Sequence, residues 1–192
     1  RAAEFGCETF QCFTRSPQGG PAPVLTKSIV ADFKSQMMNF AMETFYIHTP
    51  YYINLASLEP RIRYSSIKVV REELERGSEL GAKYIMTHLG SHTGQTIEEG
   101  IAKVADTINK ILTDYKGTTK LLLEIAAGTG NIIGDSFKEI AAILDQTGKL
   151  DGLGGICFDT CHAFASGYNF RTPEKAKAVL KEFDNIIGLQ YL

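Results

Sequence analysis

Short apolar runs alternate along this chain with longer segments in which apolar residues return every three or four positions. Runs bounded by Gly, Pro or polar clusters predict strands at 9–13, 45–48, 84–88, 121–124, 155–159 and 187–191. The segments between them carry the helical period. Residues 59–79 place Ile62, Ile67, Val70 and Leu74 among charges, and 96–115 carry the stripe Ile97, Ile101, Val104, Ile108, Ile111. Residues 135–146 carry Phe137, Ile140 and Leu144. Helix 172–184 opens on Thr172 as N-cap and Pro173 at the first helical position. A further helix is expected at 24–42.

Strand and helix therefore alternate throughout. That order implies a parallel sheet covered by helices, and right-handed crossovers curl such a sheet toward a barrel. The expected fold is α/β, a TIM (β/α)8-type barrel incomplete at both ends, with about six strands present in one domain over 1–192. The chain opens on Arg1 in what reads as mid-helix and stops within the apolar run IIGLQYL. It reads as part of a longer chain. Gly-rich loops follow the strand ends at 16–20, 90–94, 128–134 and 167, where barrel enzymes build their sites.

The candidate chemistry sits at the same point of four successive units. His48, His88, Glu124 and Asp159 each close a strand run (ETFYIH, YIMTH, LLLE, GICFD) and lie 40, 36 and 35 residues apart in turn. One βα unit takes roughly 30–40 residues, and in a barrel the strand ends converge on one mouth. His162 follows Asp159 by three residues. Singly, each has an ordinary structural reading, such as a hydrogen-bonded histidine. Jointly they describe a metal cluster of mixed imidazole and carboxylate donors, which suits zinc, manganese or iron. Bound ions of that kind activate water near neutral pH and neutralise phosphoryl charge, so the chemistry expected is hydrolysis. His92, four residues beyond His88 with Gly90 between, reads as a loop residue.

Composition narrows the setting. The 192 residues are 44% hydrophobic and 22% charged, with a net charge of −2, as in a globular protein. Nucleic-acid contact would need local loops rather than a bulk basic field. No apolar stretch nears the ~20 residues of a transmembrane helix. Cys7, Cys12, Cys157 and Cys161 form no CxxC pair, and a reducing, cytoplasmic setting is expected. Cys157 and Cys161 flank Asp159, but two small residues around a strand end are the expected reading rather than a zinc–thiolate site.

Three stretches carry a resemblance: His48-Thr-Pro-Tyr51-Tyr-Ile-Asn54-Leu, Thr87-His88-Leu-Gly-Ser91-His92, and Gly155-Ile-Cys-Phe-Asp159-Thr-Cys-His162-Ala-Phe-Ala-Ser-Gly167-Tyr168. They resemble endonuclease IV, the zinc-dependent apurinic/apyrimidinic endonuclease family. The resemblance implies a barrel with three zinc ions and a metal-hydroxide mechanism. It implies DNA repair by hydrolysis of the phosphodiester bond 5′ to an abasic site in double-stranded DNA. By the same resemblance His48, His88 and Glu124 form one zinc site, with Glu124 catalytic as the bridge to a second zinc on Asp159. His162 belongs to a third. Tyr51 and Gln18 are DNA-contacting, with His92 a weaker candidate. Gln18 stands where the family often has a basic residue. A monomer without membrane contact suits the family. The alternatives are a metal-dependent sugar isomerase or epimerase of the related barrel group, and a catalytically inactive fragment that only binds DNA.

Overall fold

Five parallel strands form the sheet of the computed structural model, which describes residues 1–148 and 150–192. In chain order they are β1 (Thr9–Cys12), β2 (Thr44–His48), β3 (Tyr84–Thr87), β4 (Lys120–Glu124) and β5 (Leu153–Cys157), and each pairs with the next. The helices are α1 (Lys27–Asn39), α2 (Pro60–Leu80), α3 (Ile97–Leu112), α4 (Phe137–Thr147), α5 (Thr160–Ala165) and α6 (Pro173–Ile186). Among the described residues β1 and β5 do not meet, so the sheet is an open arc of the expected barrel.

Strand faces alternate with period two, and the two faces differ in role. Phe45, Ile47, Ile85, Leu121 and Leu123 lie in the core between sheet and helices. The opposite face carries Tyr46, Tyr84, Met86 and Leu122, and two residues past three of these come His48, His88 and Glu124. Of the stripe predicted for α3, Ile101, Val104, Ile108 and Ile111 are buried as expected and Ile97 is half-buried, and a capping box of Thr96 with Glu99 starts that helix. It ends at Leu112 rather than 115, because Thr113 is extended and Asp114 adopts φ 57°. No described helix is long and apolar enough to cross a membrane.

Two expectations need correction. The predicted sixth strand at 187–191 is absent: Leu189–Tyr191 form a 3₁₀ turn. Its backbone groups are satisfied locally, with Leu189 N–H donating to Asp184 and Tyr191 N–H to the Gly188 carbonyl. An apolar run becomes a strand only by finding a ladder, and this one lies beside β5 without forming one. Second, β5 begins and ends two residues before the predicted 155–159. Asp159 thus stands past the strand as the N-cap of α5, a short helix the periodicity did not reveal, and accepts the His162 N–H at 2.8 Å.

A shift in register makes that offset work. Leu121 pairs with Leu153, but Leu122 pairs with Gly155, so β5 carries one extra residue. Without it every later β5 side chain would face the other side of the sheet. With it Cys157 stands opposite Glu124, and Asp159 two residues on reaches Glu124's side. Gly155 carries this at φ 135°, where a Cβ would come within 2.3 Å of the Tyr191 carbonyl oxygen.

Candidate metal centre

Glu124 is 3% exposed and faces three imidazoles. Its Oε2 lies 2.9 Å from His48 Nε2 and 3.5 Å from His88 Nδ1, and its Oε1 lies 3.6 Å from His162 Nδ1. Asp159 Oδ2 is 4.0 Å from His162 Nδ1. Two donor groups result: His48, His88 and Glu124, and Glu124, Asp159 and His162, each with its ligand atoms within 4.8 Å of one another. The five residues predicted as metal ligands are thus brought together, with Glu124 common to both groups. His162, assigned to a third ion by the resemblance, shares its group with Asp159 here.

The hydrogen bonds around the rings favour a cation. His48 Nδ1–H donates to the Thr49 carbonyl at 2.5 Å, and His162 Nδ1–H donates to the Ile125 carbonyl at 3.0 Å. Such bonds fix ring orientation and tautomer, as they do for metal-ligating histidines. With Nδ1 committed as a donor, His48 Nε2 presents a lone pair to Glu124 across 2.9 Å. A proton or a cation must lie in that gap. Burial pulls the His48 pKa down, but the hydrogen bonds to Glu124 and Thr49 outweigh it and the net direction is up. His88 goes the other way: burial dominates and holds it below the usual range, favouring the neutral, ligating form. Among the described residues no Lys or Arg ion pair reaches Glu124. A buried carboxylate set among imidazoles is a donor set that fits a divalent ion.

The thiols stay out. No described donor group includes a cysteine, and burial pushes the Cys157 thiol up to about 12 and Cys12 up to about 11. Both are neutral at physiological pH. Cys7 and Cys161 are exposed. We expect two of the four thiols to react promptly with iodoacetamide at pH 8, as read by mass spectrometry, with Cys12 and Cys157 protected until the protein unfolds.

The DNA-contact candidates divide. Tyr51 is 61% exposed on the loop after β2, with its ring edge-on to Phe13 at 5.4 Å and to His48 at 5.7 Å. Gln18 is exposed on the loop after β1, which Tyr51 N–H joins at the Pro17 carbonyl (3.1 Å). His92 stands apart: its Nδ1–H donates to the Gln95 carbonyl at 2.9 Å, and it packs on Gly100 of α3. A cavity of about 380 Å³ opens beside the donors, lined by Tyr51, Tyr52, Asn54, His88, Ser91 and His162 among others. Sequence reasoning gave Asn54 no role. Its Oδ1 accepts from Ser91 N–H and Ala56 N–H, both at 3.1 Å, which ties the loops after β2 and β3 together. The signal was Gly90, whose φ of 98° leaves no room for a Cβ against Asn54.

An open α/β-barrel arc with clustered metal donors at its strand ends defines the class, and a family model described as "Xylose isomerase-like TIM barrel" matches residues 1–192. The chain is 39% identical over 196 residues to a probable endonuclease 4 of Nitrosopumilus maritimus, covering all of this chain and 68% of that protein. It is 33% identical over 192 residues to a probable endonuclease 4 of Halothermothrix orenii, covering all of this chain and 69% of that one. The chain belongs to the endonuclease IV family. The crystal structure of endonuclease IV from Thermus thermophilus superposes with a TM-score of 0.83 at 28% identity, covering 100% of this chain and 66% of that chain. A D-tagatose 3-epimerase-like protein superposes at 0.73 with 20% identity, covering 96% of this chain and 65% of that one, a likeness of fold alone. The chain spans about two thirds of the length of these relatives.

Proposed function

We propose that this chain is the larger part of a DNA-repair endonuclease that hydrolyses the phosphodiester bond on the 5′ side of an abasic site in duplex DNA. The observation that carries the reading is Glu124, a buried carboxylate ringed by His48, His88 and His162 at the barrel mouth. Zinc is the ion this donor set suits, and His48, His88 and Glu124 would hold one. Glu124 and Asp159, with His162 beside them, would hold the next. Bound there, such ions supply a nucleophile from water at neutral pH and neutralise charge on the phosphoryl group.

The chain's own residues do the rest. The Thr49 carbonyl holds the His48 ring so that its free Nε2 faces Glu124, and the Ile125 carbonyl fixes the His162 ring beside Glu124 and Asp159. His88 stays neutral and available. Tyr51 offers an exposed ring beside the donors, suited to stack where a base is missing. The adjoining cavity of about 380 Å³ suits a sugar turned out of the helix before chemistry.

The test is cleavage of a duplex containing one abasic site, with zinc restored and after chelation, alongside a ketose incubated under the same conditions. Metal-dependent nicking 5′ to the lesion, leaving a 3′ hydroxyl, supports the proposal. Ketose turnover without nicking would assign the site to sugar chemistry. Tyr51→Ala should cut the preference for abasic over intact duplex by about tenfold, since one stacked aromatic contributes ~1–3 kcal/mol. Competition binding of the two duplexes measures it.

A further inference from the structure

The loop after β1 carries Gln18 and backs Tyr51, yet what holds it lies behind the mouth. Glu73 of α2 is fully buried. Its Oε2 accepts the Thr14 hydroxyl at 2.5 Å and its Oε1 accepts Arg15 Nε–H at 2.6 Å. Arg15, itself 7% exposed, also donates from Nη2 to Glu72 at 2.8 Å. Arg76, on the next turn of α2, donates to the Thr14 hydroxyl oxygen at 2.9 Å and to the Thr14 and Pro23 carbonyls, each at 2.8 Å. The loop is therefore pinned to α2 at both of its ends. Between the pins, the Pro17 carbonyl accepts the Tyr51 N–H, and Phe13, just before Thr14, packs its ring on both Tyr51 and His48 at 5.4 Å.

Apolar packing does not hold this loop on its outer side. A cavity of about 670 Å³ separates residues 18–22 from Ser65 and Lys68 of α2. A buried carboxylate is costly unless fully paired, and apolar residues of the same volume often serve stability as well or better. Directional bonds do what such residues cannot: they set the angle of the loop.

We propose that Arg15 and Glu73 are a positioning pair for lesion recognition, which fix the loop after β1 and, through Pro17 and Phe13, the pose in which Tyr51 and Gln18 meet DNA lacking a base. This rests on the function proposed above. Neither residue belongs to a described metal-donor group, and both side chains are buried behind the loop. The pair acts on how the duplex is engaged, not on the hydrolytic step.

The test uses metal-loaded protein and a duplex with one abasic site and a neighbouring 2-aminopurine, whose fluorescence rises when its base is unstacked. Arg15→Lys keeps the charge but loses the forked donation. It should raise KM about tenfold, the size of one charge-assisted hydrogen bond, with kcat within about twofold and a smaller fluorescence rise on binding. Thr14→Val leaves the ion pair intact and should shift KM in the same direction by less, so the proposal stays testable if Arg15→Lys does not fold. An unchanged KM and fluorescence rise in folded variants, or a loss confined to kcat, would overturn the positioning role. If the wild-type protein does not distinguish abasic from intact duplex, the function itself fails and the positioning role fails with it. Wild-type discrimination retained in both variants overturns the positioning role alone.

Discussion

Glu124→Gln is expected to lower metal-supported cleavage of an abasic duplex by ~10³-fold or more. Glu124 is the one residue shared by both donor groups, so its loss weakens both at once. Metal ions supply several kcal/mol of transition-state charge stabilisation, and ~4 kcal/mol is a factor of ~10³ in rate. Glutamine keeps the shape and one carbonyl oxygen but removes the charge that gathers the three imidazoles. The loss should appear in kcat as well as in kcat/KM, and zinc uptake should fall in parallel. His92→Ala, at a residue that packs on α3 and donates to the Gln95 carbonyl, should leave zinc uptake unchanged.

Phe137→Ala should destabilise the fold by about 3–5 kcal/mol, the usual cost of emptying a buried aromatic site. Phe137 is 1% exposed. Its ring stacks on Tyr168 at 4.1 Å and meets Phe183 edge-on at 5.3 Å and Phe158 at 5.9 Å. Its backbone N–H also donates to the Tyr168 hydroxyl at 3.0 Å. For a chain of this size the midpoint of thermal unfolding should drop by roughly 10–15 °C. The ring cluster also holds Phe158, the residue before Asp159. The Asp159 and His162 side of the metal centre should therefore loosen before the His48 and His88 side. Zinc titration of the folded variant should show the equivalent held by Asp159 and His162 weakened and the one held by His48 and His88 unchanged.

The elements that were legible in the sequence are those with a local signature. The α3 stripe, the Thr172–Pro173 start of α6 and the runs ending at His48, His88 and Glu124 all depend on spacing within a few residues. So did the convergence of the donors, because parallel strands of equal period put their ends at one edge. What was not legible depends on partners far along the chain. The extra residue in β5 is defined only by its pairing with Leu122, and it shifts Asp159 off the strand onto the cap of α5. The Arg15–Glu73 pair spans 58 positions, and no periodicity announces it. Residues 187–191 have the composition of a strand, but composition does not supply a ladder, and the segment folds into a turn against β5. Asn54 was visible only as one of a stretch, since its role is to join two loops.

The most direct measurement is the zinc content of the native protein by intact mass spectrometry, in the wild type and in a His48→Ala, His88→Ala double variant. The wild type should carry at least one zinc per chain, unaffected by alkylation of Cys7 and Cys161, and the folded double variant should lose the equivalent held by His48, His88 and Glu124. Zinc retained in full without His48 and His88, or zinc released when the thiols are alkylated, would contradict a metal centre built from the strand ends.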